Sequence, residues 1–313
     1  MYFYGKTIQG PSDMKRYKWI ISLLFITPLC LFSQAEGDSV FVKSLLLSDR
    51  TEETSLAFCP DGTYMYFSRK GAIFNFGKDN HHDIWRAKRS NDGLSWSAPV
   101  NSGPLLNTAA SEKIVSINAG ADRLYFSRII DEREVLFAAT MEGRRWGEGK
   151  LETIPGLDSF PRIKSYFVSA DEQVLLCCAS TKPGKQADIY YCLKTTDEEW
   201  TAPTLLRLPF QEQGDEMTVF LTADNRRLFF ASNGPNQGEH YDLYYSERIG
   251  HSWQNWSAIQ ALGPDINTPA NEYGLAMPLS GNIIAYISDA RSGQAKVIYG
   301  RLPADFLPES NNE

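Results

Sequence analysis

"AFCPDGTYMYFSRK" (57–70) decides the fold, because its pattern returns four times. It recurs as "SINAGADRLYFSRI" (116–129), "FVSADEQVLLCCAS" (167–180), "FLTADNRRLFFASN" (220–233) and "MPLSGNIIAYISDA" (277–290). Each copy is an apolar strand, a turn rich in Asp or Gly, and a second strand ending near Ser. A third strand follows each: "DIWRAK" (83–88), "EVLFAAT" (134–140), "DIYYCLK" (188–194), "DLYYSE" (242–247) and "KVIYGRL" (296–302). Four units then pass a turn marked by Trp96, Trp146, Trp200 or Trp256 into a short fourth strand. Short runs of alternating apolar residues bounded by Gly, Pro, Asp and Asn are strand signals, and no segment sustains a helical period.

Repeated four-stranded meanders of fifty to sixty residues predict an all-β fold, a five-bladed β-propeller of antiparallel blades. The fifth unit carries three strands, and "SVFVKSLLL" (39–47) precedes the first unit where every other unit has its predecessor's fourth strand. The N-terminal strand is therefore expected to complete the last blade, close the ring and remove its open edges. The blades fall at about 52–107, 108–158, 159–214, 215–270 and 271–302 plus 39–47, all within one domain spanning 36–313.

The chain of 313 residues is 42% hydrophobic and 22% charged, with 15 Tyr, 17 Phe and 7 Trp, a composition suited to packed β-structure. A net charge of −7 without a long basic run argues against nucleic acid and anionic membrane surfaces as partners. From Met14, a positive segment (Lys15, Arg16, Lys18) leads into an apolar stretch, Trp19 to Phe32, and then Ser33-Gln34-Ala35. That is a secretory leader over 14–35, with 1–13 as an upstream extension; the apolar run is short of the roughly 20 residues a membrane span needs. An exported protein follows, periplasmic or outer-membrane associated or secreted, with no span after cleavage and a monomer expected. Of the remaining cysteines, Cys59, Cys177, Cys178 and Cys192, none has metal-ligand spacing, and buried free thiols are expected over a disulfide.

"CPDGTYMYFSR", "ADNRRLFFAS", the triplets Asp83-Ile84-Trp85, Asp188-Ile189-Tyr190 and Asp242-Leu243-Tyr244, and "LGPDINTPANE" (262–272) resemble the WD-like repeats of TolB-type propellers of the Gram-negative envelope. The resemblance covers about 40–302 and implies a propeller in the cell envelope. Its motifs are specific for the repeat and weak for any one function. Such propellers often accompany an OmpA-like peptidoglycan-binding domain; none is legible here, and peptidoglycan anchoring is not carried over. Blades two and five lack the Asp of the triplet.

Strand parity sorts the loops of each meander a-b-c-d. The a–b turns, such as Pro60-Asp61-Gly62, Ala223-Asp224-Asn225 and Ser280-Gly281-Asn282, share one face with the c–d turns and serve turn geometry. The b–c loops, such as "RKGAIFNFGKDNHH" (69–82) and "NGPNQGEHY" (233–241), vary and share the other face with the d–a connections. Variable loops on a rigid scaffold are where binding sits. On that face Glu53, Glu112, Glu216 and Glu272 begin strand a, Arg69 and Arg128 end strand b, and the six are expected at the channel mouth. Three roles are open to them: ties to loop backbone and to the arginines, a site for a polar ligand or a hard cation such as calcium, or catalysis. Phe74, Phe76, His82, His240 and Tyr241 are the loop residues expected to touch a ligand, with no metal site among the histidines, and Trp253 is a candidate stacking platform. No cofactor is implied.

"SNDGLSWSAP" (90–99) resembles the sialidase Asp box but has one residue too few between Asp92 and Gly93, and its sister segments mark it as a c–d turn. No nucleophile elbow, P-loop or nucleotide fingerprint is present. The expectation is a non-catalytic binding or scaffold module for a protein or envelope component, acting through the b–c/d–a face. The alternative is a glycan-binding or glycan-hydrolysing propeller, sialidase-like or arabinanase-like, with its site in the central channel.

Overall fold

A computed structural model describes residues 43–44 and 51–301 except 79, 92, 94, 210–213, 236–237, 280–282 and 290–293. The leader, the upstream extension and the turn at 280–282 lie outside the described residues. The rest is a five-bladed propeller. Blade one is β2 (Glu52–Phe58), β3 (Tyr64–Lys70), β4 (His82–Lys88) and β5 (Val100–Asn101). Blade two is β6 (Glu112–Ile117), β7 (Arg123–Ile130), β8 (Arg133–Glu142) and β10 (Lys150–Leu151), with the short β9 (Arg145–Trp146) pairing back on β8. Blade three is β11 (Arg162–Val168), β12 (Val174–Ser180), β13 (Asp188–Leu193) and β14 (Thr204–Leu205). Blade four is β15 (Glu216–Leu221), β16 (Arg227–Ser232), β17 (Asp242–Glu247) and β18 (Gln260–Ala261). Blade five is β19 (Glu272–Ala276), β20 (Ile283–Ser288) and β21 (Lys296–Arg301), completed by β1 (Lys43–Ser44).

The closure read from the sequence is present: Lys43 pairs with Tyr299 and Ser44 with Ile298, antiparallel. A chain lacking 39–47 would bare the β21 edge. Its thermal midpoint is expected to fall by at least about 5 °C and the protein to self-associate, measured by calorimetry and light scattering; an unchanged monomer would refute the role of the closing strand.

The a–b turns are built as their residues require. Asp61 accepts from the Thr63 amide (2.9 Å) and hydroxyl (2.6 Å), and Gly62 takes a φ of 69°. In blade four Asn225 supplies the positive φ (55°), which asparagine tolerates better than most side chains. In blade two the b–c connection is a two-residue hairpin, with Asp131 and Glu132 both at positive φ (49° and 64°).

The cores lie between blades rather than within them. Tyr125, Leu136 and Ala138 of blade two pack with Leu175, Cys177 and Tyr190 of blade three, and Trp200 joins the same cluster. Trp256 packs on blade three, Trp96 meets Tyr299 edge-on at 6.2 Å, and the Trp146 indole donates to the Tyr66 hydroxyl (3.0 Å). Each turn tryptophan is thus a wedge against the preceding blade. Trp253 is not an open platform: Tyr191 stacks on it at 5.8 Å and the Arg248 guanidinium lies 4.4 Å from its ring. The four described cysteines are free thiols, and burial pushes those of Cys178 and Cys192 up to about 12.

Strand a of blades two, three and five is hooked to the preceding blade by a hydroxyl. Ser68 accepts from the Ile114 amide (2.8 Å), Ser116 from that of Val168 (3.3 Å) and Thr218 from that of Gly274 (2.8 Å). Strands β2, β6, β11, β15 and β19 are mutual neighbours around the axis and leave a channel between them.

Candidate functional site

The residues expected to ring the channel mouth are ties inside the blades. Glu53, Glu112, Glu216 and Glu272 are at most 1% exposed and do not line the channel cavity. Glu53 accepts from Arg69 Nε (3.1 Å) and Glu112 from Arg128 Nε (2.8 Å). In blades four and five the arginine is replaced by serine, and Glu216 and Glu272 accept from Ser232 (3.1 Å) and Ser288 (2.7 Å). Their amides donate to the preceding blade: Glu53 to Ala295, Glu216 to Ala187 and Glu272 to Tyr241. Desolvation raises the carboxyl pKa of Glu53, Glu216 and Glu272. Buried ties shielded from solvent replace the expected ligand ring.

The motif shared by "GPLLNTAASE" and "GPDINTPANE" has the same explanation. The Asn107 amide brackets Ile84, accepting from its N–H (2.7 Å) and donating to its C=O (2.9 Å), and Asn267 does the same to Leu243. One residue on, the Thr108 and Thr268 hydroxyls donate to Glu112 (2.5 Å) and Glu272 (2.7 Å). Asn, Thr and Glu at this spacing pin the d–a loop to both blades. The aspartate of the triplet works alike, since Asp83 accepts from the Phe76 amide (2.9 Å) and from Asn101 (2.7 Å).

Blade three breaks the pattern. Its strand pairing puts Ile163 opposite Ala179 where the other blades set glutamate opposite arginine or serine. Both partners of the buried polar pair have changed together, the one exchange that leaves no unpaired group behind. A β-bulge follows between Ile163 and Ser165, as bulges interrupt the same strand pair in the other blades, and Lys164 between them lines the channel.

What lines the channel mouth was not legible as a site. The cavity holds about 360 Å³, and its charged lining is Lys113, Glu134, Arg162 and Lys164, with His82, Tyr241 and the hydroxyls of Ser55, Ser127 and Thr218 around them. Lys113 pairs with Glu134 (3.2 Å), which also accepts from Ser127 (2.6 Å). Lys164, whose side chain is 10% exposed, pairs with Asp215 (2.5 Å). The Tyr241 hydroxyl donates to Asp215 (2.7 Å) and lies 3.4 Å from Lys164 Nζ. Burial opposes the charge on Asp215, but the Ala187 amide, Lys164 and Tyr241 outweigh it and hold the carboxyl below its usual range. His82 is pushed down to about 3 by burial and by the positive charge of Lys113 and Lys70, so it is neutral at pH 7. Deeper in, the channel narrows to a cavity of about 40 Å³ walled by Leu56, Val115, Phe167 and Phe220.

Of the expected loop contacts, His82 and Tyr241 line this cavity, and His240 lies 3.5 Å from Asp242 outside it. Phe74 and Phe76 stand on the 71–81 loop of the same face, 75% and 48% exposed, beside Ile73 at 93%. The loop under them is fixed. Asn75 donates to the carbonyls of Arg69 (2.9 Å) and His81 (3.1 Å) and accepts from the Trp85 indole (2.9 Å), and Asn101 donates to the Phe74 carbonyl (3.2 Å). Among the described residues no group of three or more His, Cys, Asp or Glu side chains could hold a metal ion, so the calcium expectation finds no ligand set, and no helix is long and apolar enough to cross a membrane.

No protein-family profile matches the chain, and no curated protein matches its sequence. Solved structures do. The endo-arabinase from Bacteroides thetaiotaomicron is 12% identical over 81% of this chain and 94% of its own, with a TM-score of 0.50. The alpha-L-arabinofuranosidase from Lactobacillus brevis is 12% identical over 81% and 91%, with a TM-score of 0.44. A putative TolB from Agrobacterium tumefaciens is 13% identical over 82% and 79%, with a TM-score of 0.48. At these identities what is shared is the fold: the chain is a five-bladed β-propeller.

Proposed function

We propose that the chain is an exported, non-catalytic β-propeller that binds a protein of the cell envelope through its b–c/d–a face. The observation that carries this reading is the apolar finger Ile73, Phe74 and Phe76 on a backbone held by Asn75, Asp83 and Asn101. Exposed apolar side chains cost solubility, and a loop already ordered spends little conformational entropy when a partner covers them. Export rests on the leader at 14–35, and the envelope on the repeat resemblance.

The same face speaks against hydrolysis of a glycan. A glycosidase needs a carboxylic acid with a raised pKa facing its substrate. At this mouth Asp215 is held low and Glu134 is paired with Lys113, while the carboxyls that are raised lie buried in the blade ties. The reading is tested with the full mature chain as bait in envelope extract, beside an Ile73→Ser/Phe74→Ser variant. The expected result is a saturable protein partner retained by the parent and lost by the variant, with stability within about 0.5 kcal/mol of the parent. Equal retention by both, or a glycan ligand and no protein partner, would refute it.

A further inference from the structure

We propose that the channel mouth is a binding site for a small polar ligand carrying one carboxylate or phosphate group, held by Arg162 and Lys164 with Lys113 on the neighbouring blade. This goes beyond the platform reading and does not depend on what the finger binds.

The sign of the lining comes first. Three cationic side chains and one carboxylate, Glu134, line the cavity, and Glu134 is already engaged by Lys113 and Ser127. Arg162 forms no ion pair among the described residues, is exposed, and stands where the channel cavity meets a neighbouring groove of about 740 Å³. An unpaired guanidinium at the lip of a cavity offers the planar fork that recognises carboxylate and phosphate.

Lys164 supplies the second half. Burying an ammonium is costly unless it is paired, and Asp215 and Tyr241 provide that pairing from one side. Lys164 lines the cavity together with Arg162, at the strand-a position that Thr54, Lys113, Met217 and Tyr273 take in the other blades. Lysine carries three N–H donors, and Asp215 and the Tyr241 hydroxyl account for two of them. The third is left for a ligand. Arg162 and Lys164 both belong to blade three, the one blade whose strand a lacks the buried glutamate.

Size and lining then fix the ligand class. A volume of about 360 Å³ falls in the range of small-molecule sites, and Leu56, Val115, Phe167 and Phe220 form its apolar inner wall. Hydroxyls from Ser55 and Thr218 beside the rings of Tyr241 and Tyr273 suit a polyhydroxylated body attached to the acid.

The test is calorimetric titration of the full mature chain with D-galactose, D-galacturonate and D-galactose 6-phosphate at low salt. At least one acid is expected to bind about tenfold tighter than galactose, a hydrogen-bonded charge pair being worth that or more. Which acid carries the advantage separates carboxylate from phosphate. The advantage should vanish in Arg162→Gln and in Lys164→Met and shrink with added salt. Arg162 is exposed, so Arg162→Gln keeps the fold and remains decisive if Lys164→Met loses stability. Failure of both acids to outbind galactose, or an advantage that survives Arg162→Gln, overturns the proposal. Neither outcome bears on the finger variant, so the two readings fail separately.

Discussion

Replacing Arg69 with alanine is expected to cost the propeller about 3–5 kcal/mol, and replacing Glu53 with isoleucine in the same chain is expected to return most of it. Arg69 is 4% exposed and Glu53 0%, joined at 3.1 Å. Removing the guanidinium alone strands a carboxylate already taxed by desolvation, and removes the cation from over the rings of Phe67 (5.0 Å) and Trp85 (5.1 Å). The double substitution creates the pair that blade three already carries, Ile163 opposite Ala179. Chemical denaturation of the parent, Arg69→Ala, Glu53→Ile and the double variant closes the cycle. A single variant within about 0.5 kcal/mol of the parent, or a double variant no better than the worse single, would show that the pair is not the tie described here.

The cycle bears on how much of the molecule its sequence discloses. The blades were legible because each repeat is a hairpin with Asp, Asn or Gly at its turn, and the closure because one strand was missing at one end and spare at the other. Parity then placed the loops correctly. The glutamates were legible as recurrent but not as buried, since a carboxylate beginning a strand reads the same whether it faces water or an arginine across the sheet. Lys164 was hidden for a different reason. Thr54, Lys113, Met217 and Tyr273 take the same channel-facing place in the other blades, so no single residue type recurs there to mark it as a site. Its partner Asp215 lies beyond the next blade boundary, and Lys113 meets Glu134 across a hairpin, so neither pair shows as a local motif. One signal was available: aligning the repeats sets Ile163 and Ala179 against glutamate and arginine or serine elsewhere, and so marks blade three as the odd one.

Substituting Glu216 with glutamine is expected to leave stability near pH 5 unchanged and to raise it near pH 8 by on the order of 3 kcal/mol. Glu216 is 1% exposed, accepts one hydrogen bond from Ser232, and its second oxygen has no partner among the described residues. Where blades one and two set an arginine, this blade sets a hydroxyl, and Asp188 and Asp215 add negative charge nearby. Desolvation first, then those carboxylates, push the Glu216 carboxyl up from 4.5 to about 8. The folded state therefore keeps its proton while the unfolded chain releases it. A raised pKa contributes stability that is fully present below the unfolded value of 4.5 and is lost as pH rises through about 8. The loss runs at about 1.4 kcal/mol per pH unit within that window. Glutamine keeps the shape without the proton to lose, so the parent's decline between pH 5 and 8 should be absent in Glu216→Gln. Denaturant midpoints of the two proteins at pH 5, 6.5 and 8 read this directly: curves that stay parallel across the three would mean that Glu216 is ionised in the folded protein. Its charge would then have to be held by a partner other than Ser232. The expected divergence instead means that Glu216 keeps its proton in the folded blade until the medium turns alkaline.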